Sequence, residues 1–348
     1  MEQLTAQQEA KRIAANFYCH FSQCLIQVNQ TVDWVVLSEQ VGVSLPINEH
    51  AKKTLNFQHY YQLLELTASQ LQASGFYLQL GNSYDITDLG VLGYALLSAE
   101  NLRQSWNLTF HTTSLLMHPL SSRRMVREGR VVVELLPPAH THGDLRYLYE
   151  EWLTGTWKWV CQRLPQVANS SDLTIKLAYS KPVYAERYKE FFPGKILFDQ
   201  PLTELSFPEH WYELRCLAAN PSAARLCQQQ WQVVSAQMNQ QTDLVEQVRR
   251  ILLLNPQCHF PTQVEMAEQF RLPPHTFHRR LLKDGMRYKN IVIEVRMELA
   301  KNYLEITVLP LLEISYLLGY EHPPSFYRAF KKWYGFTPQS WREKASSK

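Results

Sequence analysis

Apolar residues recur at helical spacing near both ends of the chain, and a stretch of different texture lies between. Ile13, Phe17, Phe21, Leu25 and Val28 fall on one face of a helix over about 5–30. A short helix follows over 34–42. After the break at Leu45-Pro-Ile-Asn, Phe57, Tyr60, Tyr61, Leu64 and Leu71 mark another over 57–73. Gly75 and Gly81-Asn-Ser read as punctuation. Tyr84-Asp-Ile-Thr-Asp-Leu-Gly90 leads into 91–98, and 99–106 reads as a further helix. From Leu108 the pattern changes. The stretches 108–116 and 125–136 are rich in Val, Thr and Leu, and the turn Arg127-Glu-Gly129-Arg predicts a hairpin. A long helix over 144–164 carries Tyr147, Tyr149, Trp152, Trp157 and Trp159. Strands over 173–178, 195–198 and 205–207 surround a helix over 183–192. The first 220 residues therefore read as an α+β domain. The Gln-rich helical segment 221–241 reads as a connection, or equally as the last helix of the body.

Residues 242–348 read as an all-α domain built on a doubled pattern. Thr262-Gln-Val-Glu265 is a capping box, in which hydroxyl and carboxylate satisfy backbone amides at a helix start. Val264, Ala267 and Phe270 supply that helix's inner face. The turn Arg271-Leu-Pro-Pro274 opens a second helix that buries Phe277 and Leu281 and leaves His275, Thr276, His278, Arg279 and Lys283 on or beside its outer face. A helix over 288–306 (Ile291, Val292, Val295, Leu299, Tyr303) has no breaker and links this unit to its repeat. In the repeat, Leu311, Ile314 and either Leu317 or Leu318 pack inward, and Gly319 permits the turn. Pro323-Pro324 opens a helix with Phe326 and Phe330 buried and Ser325, Tyr327, Arg328, Lys331 and Lys332 outward. Trp333 is assigned to the core. Two helix-turn-helix units on one linker helix would place their readers in successive major-groove faces, about 34 Å apart. Arg279 and Arg328 hold equivalent positions. They are expected to meet bases or phosphates, against the alternative of surface salt bridges.

Charge supports this division. The whole chain carries +3, but residues 244–348 hold 16 Lys+Arg against 10 Asp+Glu, a net of +6, leaving the body at −3. No apolar run reaches the roughly 18 residues that cross a bilayer. The polar, acidic start lacks the character of a signal peptide, so a cytoplasmic protein is expected. The six cysteines are scattered, without a Cys-x-x-Cys pair, and read as reduced thiols. His140 and His142 have no further ligand nearby and read as a polar loop rather than a metal site. Asp85 and Asp88 read as a turn cap before Gly90 rather than a catalytic pair. Phosphate-loop, nucleophile-elbow and dinucleotide fingerprints are absent. The expectation is no catalytic residue, no metal and no cofactor. The aromatics of 147–159 are candidates for an effector pocket, though most are expected to be core, and the ligand-binding residues are not legible.

The run from Glu313-Ile-Ser-Tyr-Leu-Leu-Gly through Pro-Gln-Ser-Trp-Arg342 closely resembles the signature of AraC-type transcription regulators, and Arg296, Ala300 and Leu304 in the linker helix fit the same pattern. Ser315 stands where Ala is usual, Tyr320 where Phe is usual, and two prolines occupy the turn. The body, chiefly residues 85–98 and 184–207, resembles the arabinose-binding-like effector domain of one branch of that family. The resemblance implies a sequence-specific DNA-binding regulator, controlled by a small molecule in the body, acting on double-stranded promoter DNA with RNA polymerase and as a homodimer. It does not make arabinose the ligand. The alternative is a metabolite-binding protein or enzyme with an appended DNA module.

Overall fold

A computed structural model describes residues 6–28, 34–41, 57–71, 74–110, 120–136, 144–239, 244–253, 260–270, 272–306 and 309–346. The body runs through helices α1 (Ala6–Val28), α2 (Trp34–Gln40), α3 (Phe57–Leu71), α4 (Phe76–Ser83), α5 (Val91–Leu97) and α6 (Leu102–Phe110). The hairpin β1 (Ser121–Arg127) and β2 (Arg130–Leu136) follows, then the long α7 (Arg146–Arg163) and β3 (Thr174–Lys176). The short α8 (Tyr188–Phe191), β4 (Lys195–Leu197), β5 (Thr203–Pro208) and α9 (Pro221–Asn239) complete it. The α+β expectation holds. The five strands form one sheet in the order β1-β2-β5-β3-β4, antiparallel except for the β3–β4 pair.

The sheet has two different faces because side chains alternate along each strand. Val131, Val133, Leu135, Ile175, Leu205 and Phe207 join the helices in the main core. Their neighbours place Arg123, Glu134, Glu204 and Lys176 opposite one another in a row across four strands. Arg123 and Glu134 are 3% and 1% exposed and form an ion pair. Lys176 pairs with Glu204 at 2.9 Å. Leu136 and Leu202 on this second face pack into the core of the repeat unit near the chain's end. The hairpin turn, at Glu128 and Gly129, has φ of 52° and 69°, the positive values a tight two-residue hairpin requires.

Several expectations need correction. Gly81 is not a break. It lies inside α4, where a Cβ would sit 2.1 Å from the Glu151 carbonyl oxygen of α7, so only glycine permits this crossing. Leu108 lies within the last turn of α6 rather than beginning a strand, since α6 continues to Phe110; residues 111–119 lie outside the described set. The expected helix over 183–192 is a 3-10 turn (Ala185–Arg187) running into one turn of α-helix, because Pro182 and Pro193 leave little length between them. Asp85 and Asp88 do cap a turn: Asp85 accepts from the Thr87 amide at 2.8 Å and Asp88 from the Asp85 amide at 2.7 Å. The segment 221–239 packs against α1 and α5, with Trp231 in the main core. Cys19, Cys24, Cys161, Cys216 and Cys227 are free thiols. His140, His142 and Cys258 lie outside the described residues. No described helix is long and apolar enough to cross a membrane.

The α4–α7 crossing gives a direct test. Gly81→Ala is expected to destabilise the body by about 3 kcal/mol, the upper end of overpacking costs. A lowered denaturant midpoint with the secondary structure retained is the expected reading. An unchanged midpoint would show that the helices can part without cost.

Candidate nucleic-acid interface

The regular elements among the tail's described residues are all helices: α10 (Leu244–Leu253), α11 (Gln263–Gln269), α12 (Pro274–Lys283), α13 (Tyr288–Ile306), α14 (Leu311–Leu317), α15 (Pro323–Tyr334) and α16 (Pro338–Ser346). In the first unit the Thr262 hydroxyl accepts from the Glu265 amide at 3.3 Å, and the Glu265 carboxylate accepts from the Thr262 amide at 2.7 Å. This box fixes the phase of α11. Met266 and Ala267 are buried, whereas Val264 is 50% exposed, contrary to expectation. At 100° per residue Val264 lies across the helix from Met266, which takes the inner position. The fully buried Ala267 leaves room for α12, whose Phe277 and Leu281 are also 0% exposed.

The second unit follows the same plan. Ile314 and Ser315 are buried in α14, and the Ser315 hydroxyl donates to the Leu312 carbonyl at 2.7 Å. A small residue that satisfies its own hydroxyl thus fills the position equivalent to Ala267. Leu318, rather than Leu317, is the fully buried leucine. Gly319 takes φ of 72° at the turn, α15 starts at Pro323, and Phe326 and Phe330 are 0% exposed.

Trp333 does not belong to the core; it is 48% exposed. Its place is taken by Tyr334, whose ring packs at a tilt against Trp341 of α16 with centres 5.0 Å apart and whose hydroxyl donates to the Met297 carbonyl at 3.2 Å. The last helix α16 was not expected from periodicity. Its signal lay in Thr337-Pro338, a capping residue followed by a first-turn proline, and the Ser340 amide does donate to the Thr337 hydroxyl. The Trp341 indole donates to Glu305 at 2.9 Å and so ties α16 to the linker helix.

Helix α13 holds the two units together. The Tyr288 hydroxyl donates to the Pro261 carbonyl at 2.6 Å, and Arg249 of α10 pairs with Glu294. Arg296 lies 4.5 Å from the ring centre of Phe260 in the first unit and 5.1 Å from that of Tyr320 in the second. Burial lowers its pKa, opposed by Tyr320 and Tyr288. The guanidinium is therefore held between two aromatic faces, one from each unit.

Each reader-helix candidate presents a basic outer side. On α12, His275, Arg279 and Lys283 are exposed, with Thr276 and His278 half-buried. On α15, Arg328, Lys331 and Lys332 are exposed, Ser325 is half-buried, and Tyr327 leans on Phe326 with ring centres 5.6 Å apart. Arg279 and Arg328 each follow the buried Phe of their helix at the same spacing. Unlike α11, both α12 and α15 start with a proline and without a side-chain cap, so the amides of their first turn have no side-chain acceptor at the cap position. In α15 Pro323 and Pro324 carry no amide hydrogen and the Ser325 amide donates to the His322 carbonyl, so it is the basic side chains of these helices that suit polyanion phosphate.

Known families match both halves of the chain. The description "Arabinose-binding domain of AraC transcription regulator, N-term" matches residues 33–216, and "Helix-turn-helix domain" matches residues 266–344. The Ornithine utilization regulator of Pseudomonas aeruginosa is 29% identical over 83% of this chain and 84% of its own length. The HTH-type transcriptional regulator VqsM of the same organism is 25% identical over 76% of this chain and 82% of its own length. The crystal structure of the transcriptional regulator CdpR, also from Pseudomonas aeruginosa, aligns with 90% of this chain and 99% of its own at 20% identity, with a TM-score of 0.41. With a body and a tail that each match their part of one family's architecture, the chain belongs to the AraC-type transcription regulators, DNA-binding proteins with an arabinose-binding-like N-terminal domain.

Proposed function

We propose that α12 and α15 of one chain read two successive major-groove faces of promoter DNA, and that the body converts binding of a small molecule into a change in how the tail is held. The observation that carries the first part is the matched pair of exposed arginines, Arg279 and Arg328, each beside a buried phenylalanine on a basic helix. His275, Thr276, His278 and Lys283 complete the first reader, and Ser325, Tyr327, Lys331 and Lys332 the second.

Residues 1–220 serve as the effector-sensing and dimerisation domain, 221–241 as the connecting helix and 242–348 as the DNA-binding domain. Support for control comes from the contact between sheet and tail. A cavity of about 470 Å³ lies between Arg127, Lys176 and Glu204 on one side and Glu313, Tyr316 and Leu317 on the other. A small molecule that favours one arrangement of this contact shifts the population of DNA-competent chains. A relative named for ornithine utilization that spans both halves supports a metabolite-linked role. The protein acts as a homodimer on its operator and works with RNA polymerase; sedimentation of the operator complex with one chain per complete site would overturn the dimer.

Arg279→Ala or Arg328→Ala is expected to cost about 1–3 kcal/mol in operator binding and to relax base preference at one position. Fluorescence anisotropy against operator and random duplexes at matched salt measures both, and unchanged affinity and preference would refute the base-reading role. Arg296→Met keeps the stem and removes the charge between the two units, a loss of about 1–2 kcal/mol. Operators with one inserted base pair between the two contacted faces should then discriminate less against the variant than against the natural protein; equal discrimination would mean that the spacing is set elsewhere.

A further inference from the structure

Glu150 lies on α7 in the middle of the body and is 0% exposed. Its Oε1 accepts hydrogen bonds from the hydroxyls of Tyr184, at 2.7 Å, and Tyr188, at 2.5 Å. The Tyr188 proton is thereby committed, so in the 2.8 Å contact between Tyr188 and Tyr179 it is Tyr179 that donates. Every hydroxyl proton of the cluster is used. The other carboxylate oxygen, Oε2, is buried and has no hydrogen-bond partner. The rings are ordered in pairs: Tyr184 and Tyr188 stack at 6.4 Å, and Tyr179 stacks with Tyr149 at 6.2 Å. The result is a buried acceptor among aromatic faces that has run out of donors.

The charged groups around it do not fill this need. Arg146 stands one turn earlier on α7, but its Nε donates to Asp144 at 2.6 Å. Tyr77 of α4 is spent on Thr67 and on the Leu64 carbonyl. Glu151, the next residue, serves a separate network through Tyr84 at 2.6 Å. Burial raises the Glu150 carboxyl to about 7, opposed by the Tyr188 and Tyr184 hydroxyls and by Arg146, and reinforced by Asp144.

We propose that Glu150, with Tyr179, Tyr184 and Tyr188, forms the recognition site for the protonated primary amine of a small-molecule effector. An ammonium group brings three N–H donors and one positive charge. It satisfies Oε2, neutralises the carboxylate, and gains from the tyrosine faces. An alcohol supplies a single donor and no charge, and a carboxylate supplies like charge. This deepens the reading of the body as a sensor and rests on it for the word effector; the binding site itself does not.

The test uses the full-length protein and calorimetry with n-pentylamine, 1,4-diaminobutane, pentan-1-ol and pentanoate. The two amines are expected to bind, and the alcohol and acid to bind far more weakly. Ammonium binding selects the ionised carboxylate. Affinity should therefore be full above the Glu150 pKa and fall below it, by about tenfold between pH 8 and pH 6. Heats at about pH 6 should depend on the buffer's ionisation enthalpy, because a proton is released. Glu150→Gln should weaken amine binding at least about thirtyfold, as expected for losing one partner of a buried charge pair.

Tyr184→Phe guards against a folding artefact. It removes one donor to Oε1, so the midpoint of the pH profile should move upward while binding at high pH persists. Equal affinity for amine and alcohol, amine binding unchanged in Glu150→Gln, or an unmoved midpoint in Tyr184→Phe would each overturn the site. Operator affinity measured in parallel separates the two readings. Amine binding without any change in operator affinity keeps the site and removes its sensing role. No amine binding by calorimetry, together with an operator response to another small molecule that survives Glu150→Gln, removes the site and keeps the sensor.

Discussion

A sheet with both faces covered joins the two ends of this chain. One face is apolar and seals the helical body, while the other carries a row of two ion pairs, Arg123–Glu134 and Glu204–Lys176, and meets the second helix-turn-helix unit through Leu136 and Leu202. Burying Arg123 and Glu134 is costly unless they pair, and losing one partner of such a pair typically costs about 3–5 kcal/mol. The ion pair therefore fixes the register of β1 on β2 more than it adds net stability. A slip of one residue would turn the charges into the main core and the valines toward the tail. The placement of the second reader thus depends on strand pairing far away in sequence.

The two readers are built by one rule with different fittings. Helix α11 is closed by a complete capping box, whereas α12 and α15 begin with proline and no side-chain cap. Satisfying the amides of the supporting helix keeps it in place under the reader. The readers' own starts donate little: Pro274, Pro323 and Pro324 have no amide hydrogen and the Ser325 amide donates to the His322 carbonyl, so phosphate is left to the basic side chains. Arg296, held between Phe260 and Tyr320, then makes the two units one object rather than two beads on a helix.

The tail was readable because its signals are local. Thr262 and Glu265 lie three residues apart, Phe277 and Leu281 four, and the prolines mark helix starts. Its errors came where packing overrides periodicity: Met266 displaced Val264, and α16 drew Tyr334 inward in place of Trp333. The body was less legible. Strands β3 and β4 have three residues each, too short for alternation to show, and they exist because β5 pairs with β2 and β3 across long separations. Gly81 read as a break because its reason, the carbonyl of Glu151, lies on another helix. The tyrosines around Glu150 are close together in sequence, at Tyr179, Tyr184 and Tyr188, but the carboxylate they surround lies about thirty residues earlier on α7, so their common partner is not announced by spacing.

The order of strands also governs how the chain emerges from the ribosome. The hairpin β1–β2 is made early, but its inner neighbour β5 follows only after α7, β3, α8 and β4. At about 5–20 residues per second, the inner edge of β2 stays unpaired for several seconds of synthesis. Such an edge invites pairing with other chains. Glu134 and Arg130 on that strand, with Arg123, Arg124 and Arg127 beside them on β1, make the waiting ribbon strongly charged. The charges that later set the sheet's register first serve as protection for a nascent chain that cannot yet close its sheet.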